Sequence, residues 1–168
     1  AVIINSAVGE KIQDIEFYTK SDLKDTGSSS IIPHYYLDKV EEVKMITLDF
    51  FVKKNNIEQI DFIKIDVEGY EEKILIGALN CLEKGIPKFI QIEYTPQWIE
   101  IGSSLKKVLN LVNRFEYTLY RITHNKLVKI DKYSYLLEDF YYCNFLIAKN
   151  KIPLPMKLSK KTPLPFQI

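Results

Sequence analysis

The run KIDVEGYE, from Lys64 to Glu71, constrains the fold more than any other segment of the chain. It closes a stretch in which bulky apolar side chains predominate: Ile60, Phe62, Ile63, Ile65 and Val67. Such a stretch is typical of a buried strand in a parallel sheet. Because open α/β sheets bind ligands at the C-terminal ends of their strands, the acids that interrupt it predict a ligand-facing strand end.

Three polar side chains alternate with the apolar ones. In an extended chain Lys64, Asp66 and Glu68 point to the same side, because side chains repeat with a period of two. A lysine in such a place usually needs an acidic partner, so we expect a structural ion pair between Lys64 and Asp66. Asp66 and Glu68 lie nearest the end of the strand.

A helix and a second strand follow. Gly69 permits a tight turn, and the helix is expected to begin at Glu71 and to end before Gly85. Its apolar face recurs at helical spacing: Ile74, Leu75, Ala78, Leu79 and Leu82. The second apolar strand, residues 89–92, again ends on an acid, Glu93. Neighbouring strand ends would bring Glu93 close to the two earlier acids.

Outside this centre the chain alternates strand and helix patterns. Strands are predicted at residues 2–5, 12–19, 43–47, 117–122, 127–130 and 141–148, and the last two flank a stretch rich in tyrosine. Thr47 or Asp49 can cap a short helix, and Ser103 or Ser104 a longer one. This order predicts an α/β sandwich with a mainly parallel sheet and an antiparallel last strand.

Composition limits the possible partners. With 168 residues, of which 46% are hydrophobic, the chain can form one domain with a core. Without the five lysines of residues 149–168 it has 18 basic and 22 acidic residues, a net charge of −4, so no nucleic-acid partner is expected. No apolar run reaches the roughly twenty residues that cross a bilayer, and Cys81 and Cys143 have no partner at metal-ligand spacing. We therefore expect a cytoplasmic protein with reduced cysteines and no membrane contact.

Several segments, in order, resemble the FkbM family of S-adenosylmethionine-dependent methyltransferases. They are SAVGEK at 6–11, GSSS at 27–30, ITLDFF at 46–51, IDFIKIDVEGYEEKILIGA at 60–78 and FIQIEY at 89–94. The resemblance covers residues 2–148 and leaves 149–168 as a proline- and lysine-rich tail. It implies a Rossmann-like class I methyltransferase sandwich with S-adenosylmethionine as cofactor.

The glycines depart from that pattern. The six glycines are never closer than eight residues apart, so a GxGxxG-like loop is missing. The chain also starts at an alanine directly before a predicted strand. We therefore expect residues 1–148 to be a partial methyltransferase domain, truncated at its N-terminus, that binds the cofactor weakly and is inactive alone.

The resemblance also suggests site residues. Asp66 is the first choice for a general base near the reacting end of the cofactor, with Glu68 and Glu93 beside it. Ser6 and Ala7 follow the strand that approaches the adenine in related folds. Candidates for acceptor binding are the serine-rich loop and the aromatic residues after Glu93: Ser28, Ser29, Tyr94 and Trp98.

The acceptor implied is a hydroxyl of a small molecule, sugar or glycan. Two rival functions stay open. The acids could bind a divalent cation in a metal-dependent glycosyltransferase that uses a nucleotide sugar, because Mg²⁺ and similar ions prefer oxygen ligands. Alternatively, the domain could be a non-catalytic binding module.

Overall fold

The computed structural model describes residues 1–21, 31, 33 and 37–159, which form two mixed β-sheets and four short helices. The strands are β1 Ala7–Val8, β2 Gln13–Thr19, β3 Lys39–Ile46, β4 Ile60–Ile65, β5 Pro87–Tyr94, β6 Tyr117–Ile122, β7 Leu127–Lys129 and β8 Cys143–Lys149. The helices are α1 Leu48–Lys54, α2 Glu71–Ile76, α3 Leu79–Glu83 and α4 Leu105–Asn113. An α/β fold is thus confirmed.

The smaller sheet has the order β1-β3-β2, with β1 parallel and β2 antiparallel to β3. The strand predicted at residues 2–5 is wrong. Residues 1–6 have no regular secondary structure, and Val2 and Ile3 are 90% and 94% exposed. Strand residues need a paired neighbour, and among residues 1–8 only Ala7 and Val8 pair with β3.

The larger sheet has the order β4-β5-β8-β6-β7. Only β4 and β5 are parallel in it, whereas β8 is antiparallel to both β5 and β6, as predicted for the last strand. The expected mainly parallel sheet is wrong: among the ladders between the described strands, two are parallel and four antiparallel. The reason is connectivity, because β6 and β7 form a hairpin and β8 inserts between β5 and β6.

The helix predicted after Gly69 is two helices, α2 and α3. Their boundary lies at Gly77, whose carbonyl accepts a hydrogen bond from the Asp49 amide at 3.0 Å. The Asp49 carboxylate in turn accepts the backbone amides of Asn80 at 3.0 Å and Cys81 at 2.8 Å and so starts α3. Thr47 caps α1, since its hydroxyl accepts the Phe50 amide at 3.0 Å.

Close packing holds the two sheets together. A Cβ atom on Gly77 would collide with the carbonyl oxygen of Gly9, which directly follows β1. The main core lies between the larger sheet and α4, with Trp98, Tyr94, Tyr117 and Phe145 as its largest fully buried side chains. The smaller sheet therefore sits against the helix that follows β4.

The final described residues are not free of the core. The Leu127 amide donates to the Lys157 carbonyl at 2.9 Å, and Ser159 donates to the Leu127 carbonyl at 2.7 Å. Leu154 and Met156 pack on the small cluster around Leu127. The predicted proline- and lysine-rich tail thus packs along β7 as far as residue 159.

Candidate active site

Three carboxylates meet where β4 and β5 end. Ile65 and Ile92 are paired in the parallel ladder, so Asp66, directly after β4, lies beside Glu93 near the end of β5. One oxygen of Asp66, one of Glu68 and one of Glu93 all lie within 4.8 Å of one another. The predicted meeting of these acids at one sheet edge is confirmed.

The ion pair between Lys64 and Asp66 forms as predicted, with Nζ 2.5 Å from Oδ2. Lys64 is exposed rather than buried, since its side chain keeps 56% of its accessible surface. The hydrogen bond from the Lys64 ammonium lowers the pKa of the Asp66 carboxyl, with burial opposing it. Asp66 is therefore an anion at neutral pH.

The pKa of Glu93 is shifted in the opposite direction to that of Asp66. Burial raises the pKa of the Glu93 carboxyl, and the negative charges of Asp66 and Glu68 raise it further. A general base works best when its pKa lies close to the working pH. These opposite shifts favour Glu93 over Asp66, the first choice from the sequence, as the candidate general base.

The turn after β4 has an unusual backbone. Glu68 and Gly69 have φ angles of +53° and +112°, in the left-handed region that is unfavourable for glutamate. The carboxylate of Glu71 supports this turn by accepting the Val67 amide at 3.1 Å. Glu71 is fully buried, and this burial raises its pKa to about 7.

The sequence did not reveal this support. Glu71 carries the ordinary signature of an acid in the first turn of a helix, where its carboxylate would be expected to face solvent. Its burial depends on how the chain packs around α2, and no local sequence pattern predicts that packing.

A groove of about 860 Å³ opens between the two sheets beside the acids. Ser6 and Ala7 lie on one side, and Asp66 and Glu68 on the other, so the structure brings the predicted cofactor-binding residues into one cavity. Apolar side chains form much of the remaining lining, including Val8, Phe17, Val43, Ile63, Ile65 and Ile74. Ligand sites of about 300 to 1,000 Å³ commonly combine such walls with a few polar groups.

Two predicted acceptor-binding residues belong to the core instead. Tyr94 and Trp98 are fully buried and meet edge to face, with ring centroids 5.0 Å apart. The Tyr94 hydroxyl donates to Glu138 at 3.1 Å and accepts the Phe140 amide at 3.2 Å. Both side chains are therefore unavailable to an acceptor, and this expectation is corrected. Ser28 and Ser29 lie outside the described residues.

The carboxylate oxygens also form a possible donor set for a divalent cation, which prefers oxygen ligands. An ion there would compete with the Lys64 ammonium for Asp66.

The helices among the described residues are all too short and too polar to cross a membrane.

Comparison with known protein families gives a match over most of the chain. The sequence model of a family described as Methyltransferase FkbM domain matches residues 2–119, which is more than half of the chain. Neither the curated proteins nor the solved structures contain a significant match.

Proposed function

The chain belongs to the FkbM methyltransferase family, and from that premise we propose that it transfers a methyl group from S-adenosylmethionine to a hydroxyl of a sugar or glycan. Family membership indicates methyl transfer. The donor and the acceptor are those that the family resemblance implies, and the groove and its acids support that choice.

The observation that carries the proposal is the carboxylate cluster at the groove. Asp66, Glu68 and Glu93 converge within 4.8 Å at the carboxyl ends of two parallel strands, where open α/β sheets bind their ligands. Lys64 is the cation paired with this cluster, so the cluster carries excess negative charge that attracts a positively charged ligand.

The groove fits the proposed cofactor in size and chemistry. Its apolar walls suit a flat adenine base, with Ser6 and Ala7 on that side, and Asp66 offers an anion for the positively charged end. When bound, S-adenosylmethionine supplies a methyl group whose carbon–sulfur bond breaks with its electron pair kept by sulfur. The groove residues hold and orient it.

Methylation of a hydroxyl also releases its proton, which a group on the protein must accept. As the acceptor oxygen forms its new bond to carbon, the hydroxyl proton passes to the carboxylate of Glu93, whose raised pKa suits it to receive that proton. Asp66 stays ionised in its pair with Lys64 and keeps the neighbouring charge negative. This charge opposes ionisation of Glu93 and so maintains its basicity.

The test is transfer of an isotope-labelled methyl group from S-adenosylmethionine to a set of methyl glycosides by the full-length protein. Glu93→Gln should lower turnover at least about 100-fold, the usual minimum effect of losing a general base. Glu83→Gln, an exposed glutamate at the end of α3, is the control and should keep normal turnover. Equal turnover in both variants would remove Glu93 from the chemistry.

The carboxylate cluster also supports the rival glycosyltransferase, because three oxygens can hold Mn²⁺. That function predicts Mn²⁺-dependent binding of a nucleoside diphosphate and no binding of S-adenosylhomocysteine. Calorimetric titration with each ligand separates the two functions.

A further inference from the structure

We propose that Tyr142 and Gln97 form an acceptor subsite that stacks a neutral, hydroxylated ring of the pyranose type and directs one of its hydroxyls toward Glu93. The inference rests on the proposed methyl transfer and specifies where and how that acceptor binds. Neither residue belongs to the carboxylate cluster.

Tyr142 lies beside the end of β5 that carries Glu93. It directly precedes β8, whose ladder with β5 begins with Cys143 opposite Tyr94 and continues with Asn144 opposite Glu93. Tyr142 is therefore adjacent to the strand ends where the acids meet.

Gln97 joins Tyr142 to the carboxylate cluster. Its amide Nε2 donates to the Tyr142 hydroxyl at 3.4 Å. On its other side Gln97 packs against Gly69, where an added Cβ would lie 3.0 to 3.1 Å from Gln97 atoms. Since Gly69 directly follows Glu68, the subsite adjoins the acids.

The two side chains offer complementary chemistry. Tyr142 is 59% exposed and presents an apolar ring face with a polar tip, as a saccharide-stacking residue requires. The Tyr142 hydroxyl accepts the Gln97 amide and keeps its own proton to donate to a ring hydroxyl, so Gln97 orients the tyrosine. The nearby carboxylates disfavour an anionic acceptor, so a neutral ring fits best.

The experiment is saturation-transfer NMR of the full-length protein with three probes: the methyl α-pyranosides of glucose, mannose and galactose. We expect transfer to the ring C–H protons of at least one probe in the wild type. Tyr142→Ala should weaken binding at least about fivefold, in keeping with the loss of a stacking contact, and Gln97→Ala should weaken it as well. Tyr141→Ala is a matched control, because Tyr141 is 72% exposed and adjacent in sequence, and it should bind normally.

Three results would overturn the subsite: no transfer to any probe, unchanged binding in Tyr142→Ala, or equal losses in the Tyr141 and Tyr142 variants. Binding of S-adenosylhomocysteine by the same variants reports on the proposed function separately. If cofactor binding persists while pyranoside binding does not depend on Tyr142, the subsite fails and the methyltransferase function stands.

Discussion

Replacement of Glu71 by glutamine should make the protein more stable, and increasingly so as the pH rises. The Glu71 side chain is fully buried, accepts the Val67 amide at 3.1 Å and has its pKa raised by burial to about 7. Glutamine retains a carbonyl oxygen for the Val67 amide but carries no charge. It therefore mimics the protonated form of Glu71 at every pH.

The direction of this pH dependence follows from proton binding to Glu71. Between pH 4.5, the ordinary value for glutamate, and about 7, the folded protein keeps a proton on Glu71 that the unfolded chain has released. The wild type therefore loses stability as the pH rises through this window. The full difference corresponds to about 3 kcal/mol, and most of it falls between pH 5 and pH 8.

Urea unfolding of wild type and Glu71→Gln at pH 5 and pH 8 measures how the difference in their free energies of unfolding changes with pH. The stability of the variant relative to wild type should rise by about 2 to 3 kcal/mol between the two pH values. Glu71→Ala leaves the Val67 amide without its acceptor and should be less stable than Glu71→Gln by about 1 to 3 kcal/mol at pH 5. A relative stability of Glu71→Gln that does not change with pH would show that the pKa of Glu71 is not raised in the folded protein.

Three further predictions concern other parts of the fold. Asp66→Asn should lower turnover of the full-length enzyme roughly tenfold, the equivalent of about one pKa unit, because it removes a negative charge that raises the pKa of Glu93. Asp61→Asn, which breaks a similar ion pair with a lysine on β5, should leave turnover normal in the methyl-transfer assay. Gly77→Ala forces a Cβ against the Gly9 carbonyl and should cost about 1 to 3 kcal/mol in urea unfolding, so an unchanged midpoint would contradict this packing. Asp49→Ala removes the cap of α3 and should lower Tm by several degrees, corresponding to about 1 to 2 kcal/mol, in a thermal melt followed by circular dichroism.

The sequence predicted the features that depend on neighbouring residues. Alternation located β2, β3, β4 and β5, Thr47 was recognised as a cap, and the acids Asp66 and Glu93 were placed together because they end successive apolar strands. The burial of Tyr94 could also have been predicted. It continues the alternation of Ile90 and Ile92, which are both fully buried.

Contacts between distant residues set the remaining features. The break at Gly77 depends on Asp49, which caps a helix more than thirty residues later in the chain. The strand order depends on β8 inserting between β5 and β6, which no local pattern encodes. The preference for Glu93 over Asp66 as base arises from their unequal electrostatic surroundings, because only Asp66 has the Lys64 ammonium as a hydrogen-bonded partner.

Calorimetric titration of the full-length protein with S-adenosylhomocysteine decides whether the groove is the methyl-donor site, since that ligand is the product left when the methyl group has been transferred. We expect saturable binding to one site per chain, weakened by an Ala7→Trp substitution that fills the groove between the sheets. The absence of binding heat from protein shown to be folded, together with Mn²⁺-dependent binding of a nucleoside diphosphate, would rule out methyl transfer and favour the glycosyltransferase.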